Sequence, residues 1–191
     1  MGILDTMLDK QGIYKVDKNS VNWKAVDYYL SQRKLLDNLR KWVEFPNYDC
    51  LPDLRNLAKE VDRIQPHRDK GTPLYRGMSL EIKMQNNLGI KPNDIYNNPN
   101  YKFSVTLDKP TSFSTDIRIA EDFGKSIIMI QPGNFISDFL RITPELSTAM
   151  ATLTKVTPTS EREWVWLRQD PVKFDTHFVK YKKPLLPSWM F

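Results

Sequence analysis

Glu161-Arg162-Glu163-Trp164-Val165-Trp166-Leu167 sets two carboxylates at i and i+2 directly ahead of an apolar run that reads as a strand. Successive strand side chains point to opposite faces, so Glu161 and Glu163 would leave the same side, one residue-pair apart. A pair held this way can steady a developing sugar cation with one carboxylate and manage a proton with the other, which is what glycosyl transfer requires. The same spacing suits a solvated pair at the start of a strand. The remaining parts of such a site therefore have to be sought elsewhere in the chain.

Two upstream stretches supply them. Pro73-Leu74-Tyr75-Arg76-Gly77-Met78 is a short apolar strand start carrying one arginine and then a glycine. Thr111-Ser112-Phe113-Ser114-Thr115-Asp116 is a hydroxyl-rich strand end. It runs into Ile117-Arg118-Ile119-Ala120-Glu121-Asp122-Phe123-Gly124, one or two helical turns closed by glycine. The planar fork of Arg76 can bond phosphate or ribose oxygens in two places, or serve a strand-end salt bridge. Gly77 permits close backbone approach. The Ser114 hydroxyl donates and accepts at once, and it could equally form an ST-turn ahead of the helix.

The ordered set Arg76, Ser114, Glu163 resembles the R-S-E class of mono-ADP-ribosyltransferases, which includes arginine-modifying bacterial toxins, vertebrate ecto-enzymes and enzymes of T-even bacteriophages. "LYRG" (74–77) is similar to the arginine motif, "FSTD" (113–116) to the Ser-Thr-Ser motif and "EREW" (161–164) to the Glu-x-Glu motif. "AEDFG" (120–124) is similar to the Ala-x-x-Phe helix that follows the serine motif in many members. The third position of Ser-Thr-Ser is Asp116 here. The resemblance covers about residues 73 to 182, and its character is closest to the small, single-domain, unsecreted phage enzymes.

The resemblance implies NAD as co-substrate and no metal. Arg76 would orient NAD while the backbone at Gly77 holds the nicotinamide amide. Ser114 would bond both the catalytic glutamate and the nicotinamide ribose, with Thr115 supporting the strand end. Phe123 would lie beside the nicotinamide or act as a core aromatic under its helix. Glu163 would bond the ribose 2′-hydroxyl and steady the oxocarbenium-like transition state. Glu161 would orient the arginine acceptor and take its proton. The implied function is transfer of ADP-ribose to arginine side chains of a cytoplasmic host protein, which could be nucleic-acid-associated, with release of nicotinamide. An NAD glycohydrolase and a catalytically silent binding module are the alternatives.

Composition agrees with a soluble globular chain. At 191 residues the length suits one domain, and the 40% hydrophobic and 27% charged content is ordinary. No apolar run approaches the roughly 20 residues of a membrane span. The start "MGILDTMLDKQG" lacks a basic, then apolar leader, so a cytoplasmic protein is expected; it is also expected to be a monomer. Met1-Gly2 with Thr6 fits a myristoylation pattern, a short pattern that recurs by chance. A single cysteine, Cys50, excludes an intramolecular disulfide, and His67 and His177 stand far apart without a Cys/His cluster. The net charge of +5 is spread along the chain apart from Lys180, Lys182 and Lys183, which reads as a solvated face.

Residues 1 to 70 read as a helical layer. Val21 through Leu30, continuing over Leu35, Leu36, Leu39, Trp42 and Val43, keeps helical spacing, with Asn19-Ser20 as a cap. Leu54, Leu57, Ala58, Val61 and Ile64 define a second helix that stops before Pro66. From residue 73 to 182 a sheet core is expected, with strands at Ser126–Ile130 and Lys173–Val179, a loop after a short helix over 81–103, and loop and short helix over 134–150. This order defines an α+β class within one domain, 1–191. The resemblance sharpens it to an ADP-ribosyltransferase fold, with two roughly perpendicular, mainly antiparallel sheets and an NAD cleft between them.

Overall fold

The computed structural model describes residues 21–44, 48–67, 69–78, 102–124, 126–154 and 163–180. Outside them lie the 1–6 pattern, the Asn19-Ser20 cap, most of the 81–103 loop, Glu161, Lys182 and Lys183. The fold is α+β, and every strand pairing described below is antiparallel. The chain divides into two compact units, each drawn from two stretches: 1–68 with 137–167, and 69–136 with 168–191.

In the first unit, Asn22 opens helix α1 (Trp23–Ser31) by accepting the Ala25 N–H on its side-chain oxygen. Helix α2 follows at Arg33–Glu44. The spacing predicted one continuous helix here, but the backbone leaves helical geometry at Gln32, with φ −91° and ψ 49°. Just before it, the Ser31 hydroxyl donates back to the Tyr28 carbonyl at 2.6 Å and competes with the helical ladder. After a 3₁₀ turn at Tyr48–Cys50, helix α3 (Leu51–Ile64) carries Pro52 in its first turn and ends before Pro66. It buries Leu51, Leu54, Leu57, Ala58 and Val61 at helical spacing.

The later stretch of this unit contributes strand β5 (Phe139–Arg141), helix α5 (Pro144–Thr154) and strand β6 (Glu163–Trp166). Thr143 caps α5, its hydroxyl accepting the Leu146 N–H at 3.2 Å, with proline at the first helical position. Strands β5 and β6 pair antiparallel, Leu140 opposite Val165. One core joins both stretches: Tyr29, Leu36 and Leu39 share a buried cluster with Leu140, Leu146 and Val165. The N-terminal helices are thus part of a core completed by residues about a hundred positions later.

The second unit holds strands β1 (Leu74–Met78), β2 (Lys102–Leu107), β3 (Thr111–Ser114), β4 (Ser126–Ile130) and β7 (Val172–Lys180), with helix α4 (Ile117–Phe123) between β3 and β4. Their order is β2-β7-β4-β1-β3, each neighbour antiparallel. Strand β7 alternates cleanly, burying Val172, Phe174, Thr176 and Phe178 while Lys173, Asp175 and His177 face outward. Strand β2 begins inside the stretch read as loop. Its partner β7 is some seventy residues away, so nothing local marks it.

Candidate functional site

Register decides which side chains of the second unit can meet. Tyr75 is the partner of Ser114 on β3 and of Met129 on β4; Met129 is the partner of His177 on β7, and His177 of Lys102 on β2. Directly opposed residues share a face. Ser114, Tyr75, Met129, His177 and Lys102 therefore form one row across five strands. At about 4.8 Å per strand spacing the row spans roughly 19 Å. Arg76, one residue on from Tyr75, leaves the other face, the apolar one that carries Ile128 and Phe178.

Arg76 and Ser114 thus lie on neighbouring strands without sharing a face. Their link runs through the backbone: Arg76 Nη1 donates to the Ser112 carbonyl at 2.6 Å. Ser114 is 5% exposed, and its Oγ accepts the Asp116 N–H at 3.0 Å, the ST-turn that its type allowed. Asp116 then caps α4, accepting the Arg118 N–H at 3.0 Å and pairing with the same guanidinium at 2.7 Å. The aspartate at this position thus serves the helix that follows it. Thr115 is half-buried at the bend between the two elements.

The close approach at Gly77 is to protein. A Cβ there would sit 1.8 Å from the Ala120 carbonyl oxygen, and one on Gly124 would sit 2.3 Å from the Met78 backbone. These two glycines let α4 lie directly on β1. Phe123, at the end of α4, is 58% exposed and is not a core aromatic.

Glu163 belongs to the first unit. It is half-buried at the head of β6, and its carbonyl accepts the Ile142 N–H at 2.8 Å. The residues after it, Trp164, Val165 and Trp166, are all buried, so the apolar run is a strand as read. Trp164 carries the Arg141 guanidinium at 5.7 Å over its ring and the His67 ring edge-on at 4.9 Å.

Two polar features escaped the sequence. In the first unit, Glu145 accepts from the Asn22 N–H at 3.1 Å and the Gln65 amide at 2.7 Å. Gln65 Oε1 in turn accepts the Tyr29 hydroxyl at 3.0 Å and the Thr143 hydroxyl at 2.9 Å. Arg141 donates to Asp62 at 2.8 Å and to the Gln65 carbonyl. Burial, with the nearby Glu145 carboxylate, pushes the Tyr29 phenol up to about 12. In the second unit, a groove of about 500 Å³ opens along β2, β7 and the end of β4. The sequence marked Lys173–Val179 as a strand, which supplies Asp175, Thr176 and His177 to the groove.

Among the described residues no group of three or more His, Cys, Asp or Glu side chains could hold a metal ion, and no helix is long and apolar enough to cross a membrane. The chain matches no family model, no curated protein and no solved structure.

Proposed function

We propose that the chain is an arginine-directed mono-ADP-ribosyltransferase acting on a cytoplasmic protein, with an ADP-ribosyltransferase fold. The observation that carries this reading is the assembly of three motif pieces in one unit. "LYRG" bonds the serine strand through Arg76 and Ser112, and "FSTD" turns through Ser114 and Asp116 into the helix. That helix, with "AEDFG", closes back on Gly77. Arg76 in this geometry holds the serine strand end in place. The fourth piece, Glu163, is half-buried at the head of a buried strand.

In the proposed reaction the bond between ribose C1′ and the nicotinamide nitrogen breaks, and nicotinamide leaves with the bonding electrons. Glu163 stabilises the positive charge that develops on the ribose ring. A guanidinium nitrogen then bonds to C1′ and passes its proton to Glu161. Nicotinamide release and labelling of agmatine, a free guanidinium acceptor, test this in wild type, Glu163→Gln and Glu161→Gln. Glu163→Gln should lose about 10² to 10³ in both readouts. Glu161→Gln should lose labelling but keep slow NAD cleavage. Undiminished turnover by Glu163→Gln would remove the assignment.

A further inference from the structure

Six side chains of the groove fall on a two-by-three grid of one sheet face. Across the strands, Lys102 opposes His177 and His177 opposes Met129. Two residues along, Ser104 opposes Asp175, and Gln131 continues the same row past the end of β4. The rows are separated by about 7 Å, two residues of strand.

The chemistry of the two rows differs. Lys102 and His177 face each other directly, and among the described residues neither has a carboxylate within ion-pair distance. An ammonium and an imidazole N–H set opposite one another offer two donors to an anion that bridges them. In the second row, Asp175 accepts the Ser104 hydroxyl at 3.0 Å, which fixes its carboxylate as an acceptor for further hydroxyls. Met129 offers a polarisable apolar surface beside the imidazole, and Gln131 an amide with both donors and an acceptor. The backbone beneath is firm, since buried Thr176 donates to the Met129 carbonyl at 2.6 Å and ties β7 to β4.

We propose that this groove binds a ribonucleoside 5′-phosphate. The phosphate bridges Lys102 and His177, the ribose diol donates to Asp175, and the base lies on Met129 within reach of the Gln131 amide. The volume of about 500 Å³ is in the range of small-ligand sites. The assignment stands on the groove's own side chains and does not depend on the transfer reaction proposed above.

Calorimetric titration of the full chain with AMP, 2′,3′-dideoxy-AMP, adenosine and inorganic phosphate tests it. AMP should bind, and adenosine should bind at least tenfold more weakly. Lys102→Ala and His177→Ala should each weaken AMP at least tenfold; all the substituted side chains face outward, so folding is not at stake. Asp175→Asn should weaken AMP several-fold yet leave dideoxy-AMP unchanged. Titrating AMP in the presence of excess NAD separates the sources: competition identifies the adenylate half of NAD as occupant, and undisturbed binding identifies a free nucleotide. No heat with 10 mM AMP, or AMP binding indifferent to all three substitutions, would overturn the proposal.

Discussion

Gly77 and Ala120 meet backbone to backbone: a methyl group on Gly77 would lie 1.8 Å from the Ala120 carbonyl oxygen. Neither the strand nor the helix can give way as a side chain does. Gly77→Ala should therefore cost about 3 kcal/mol, at the upper end of overpacking effects. Gly71→Ala is the comparison, because its Cβ would meet only the Asp69 carboxylate at 3.3 Å, the end of a movable side chain. Urea denaturation should separate the two variants clearly.

Asp116 caps α4 and pairs with Arg118. Asp116→Ala should lose about 1 kcal/mol. Asp116→Ser, which caps nearly as well, should stay within about 0.5 kcal/mol of the parent in the same denaturation experiment.

Arg141 is buried and holds both Asp62 and the Gln65 carbonyl. Arg141→Leu leaves a carboxylate and a carbonyl without that donor and removes the cation over Trp164. A loss of about 3 kcal/mol is expected. Asp62→Asn, at a more exposed position, should lose about 1 kcal/mol, measured as a shift in denaturation midpoint at constant slope.

Tyr29 gives the fold an alkaline limit. Its phenol is pushed up to about 12 by burial and by Glu145, against the ordinary value of 10.0. Below pH 10 both folded and unfolded chains keep the proton, and the contribution is intact. Between 10 and 12 the unfolded chain ionises first, so stability falls by an amount on the order of 1–2 kcal/mol. Thermal unfolding followed from pH 9 to 12 should show the decline, and Tyr29→Phe should flatten it.

Deleting residues 1 to 45 removes Tyr29, Leu36 and Leu39 from the core that they share with Leu140 and Leu146. The fragment should aggregate or bind a hydrophobic dye strongly. A monomeric fragment with native circular dichroism would instead make the helices a separable appendage.

Strands β1, β3, β4 and β7 and helices α3 and α4 were readable because each carries its own period and its own stop, as in Pro66 or Gly124. Strand β5 was not. Three residues ending in a buried arginine give no alternation to read, and Phe139, Leu140 and Arg141 become a strand only through pairing with β6. Of the candidate site, the strands that carry Arg76, Ser114 and Glu163 could be read from the sequence, but not the faces on which these side chains stand. Whether Arg76 shares a side with Ser114 depends on the β1–β3 register, and a shift of one residue would reverse the answer. That register is a property of two strands 36 residues apart, and neither sequence states it.

The interleaving of the two units also sets a timetable for the ribosome. Helices α1 to α3 are complete by residue 64, while the partners that bury their leucines begin only at residue 139. At about 5–20 residues per second, the intervening stretch leaves that stripe uncovered for roughly 4 to 15 seconds of synthesis. A nascent chain stalled in this interval presents a helical surface that lacks its cover from β5, α5 and β6. Holdase chaperones would engage it there, earlier than any part of the sheet.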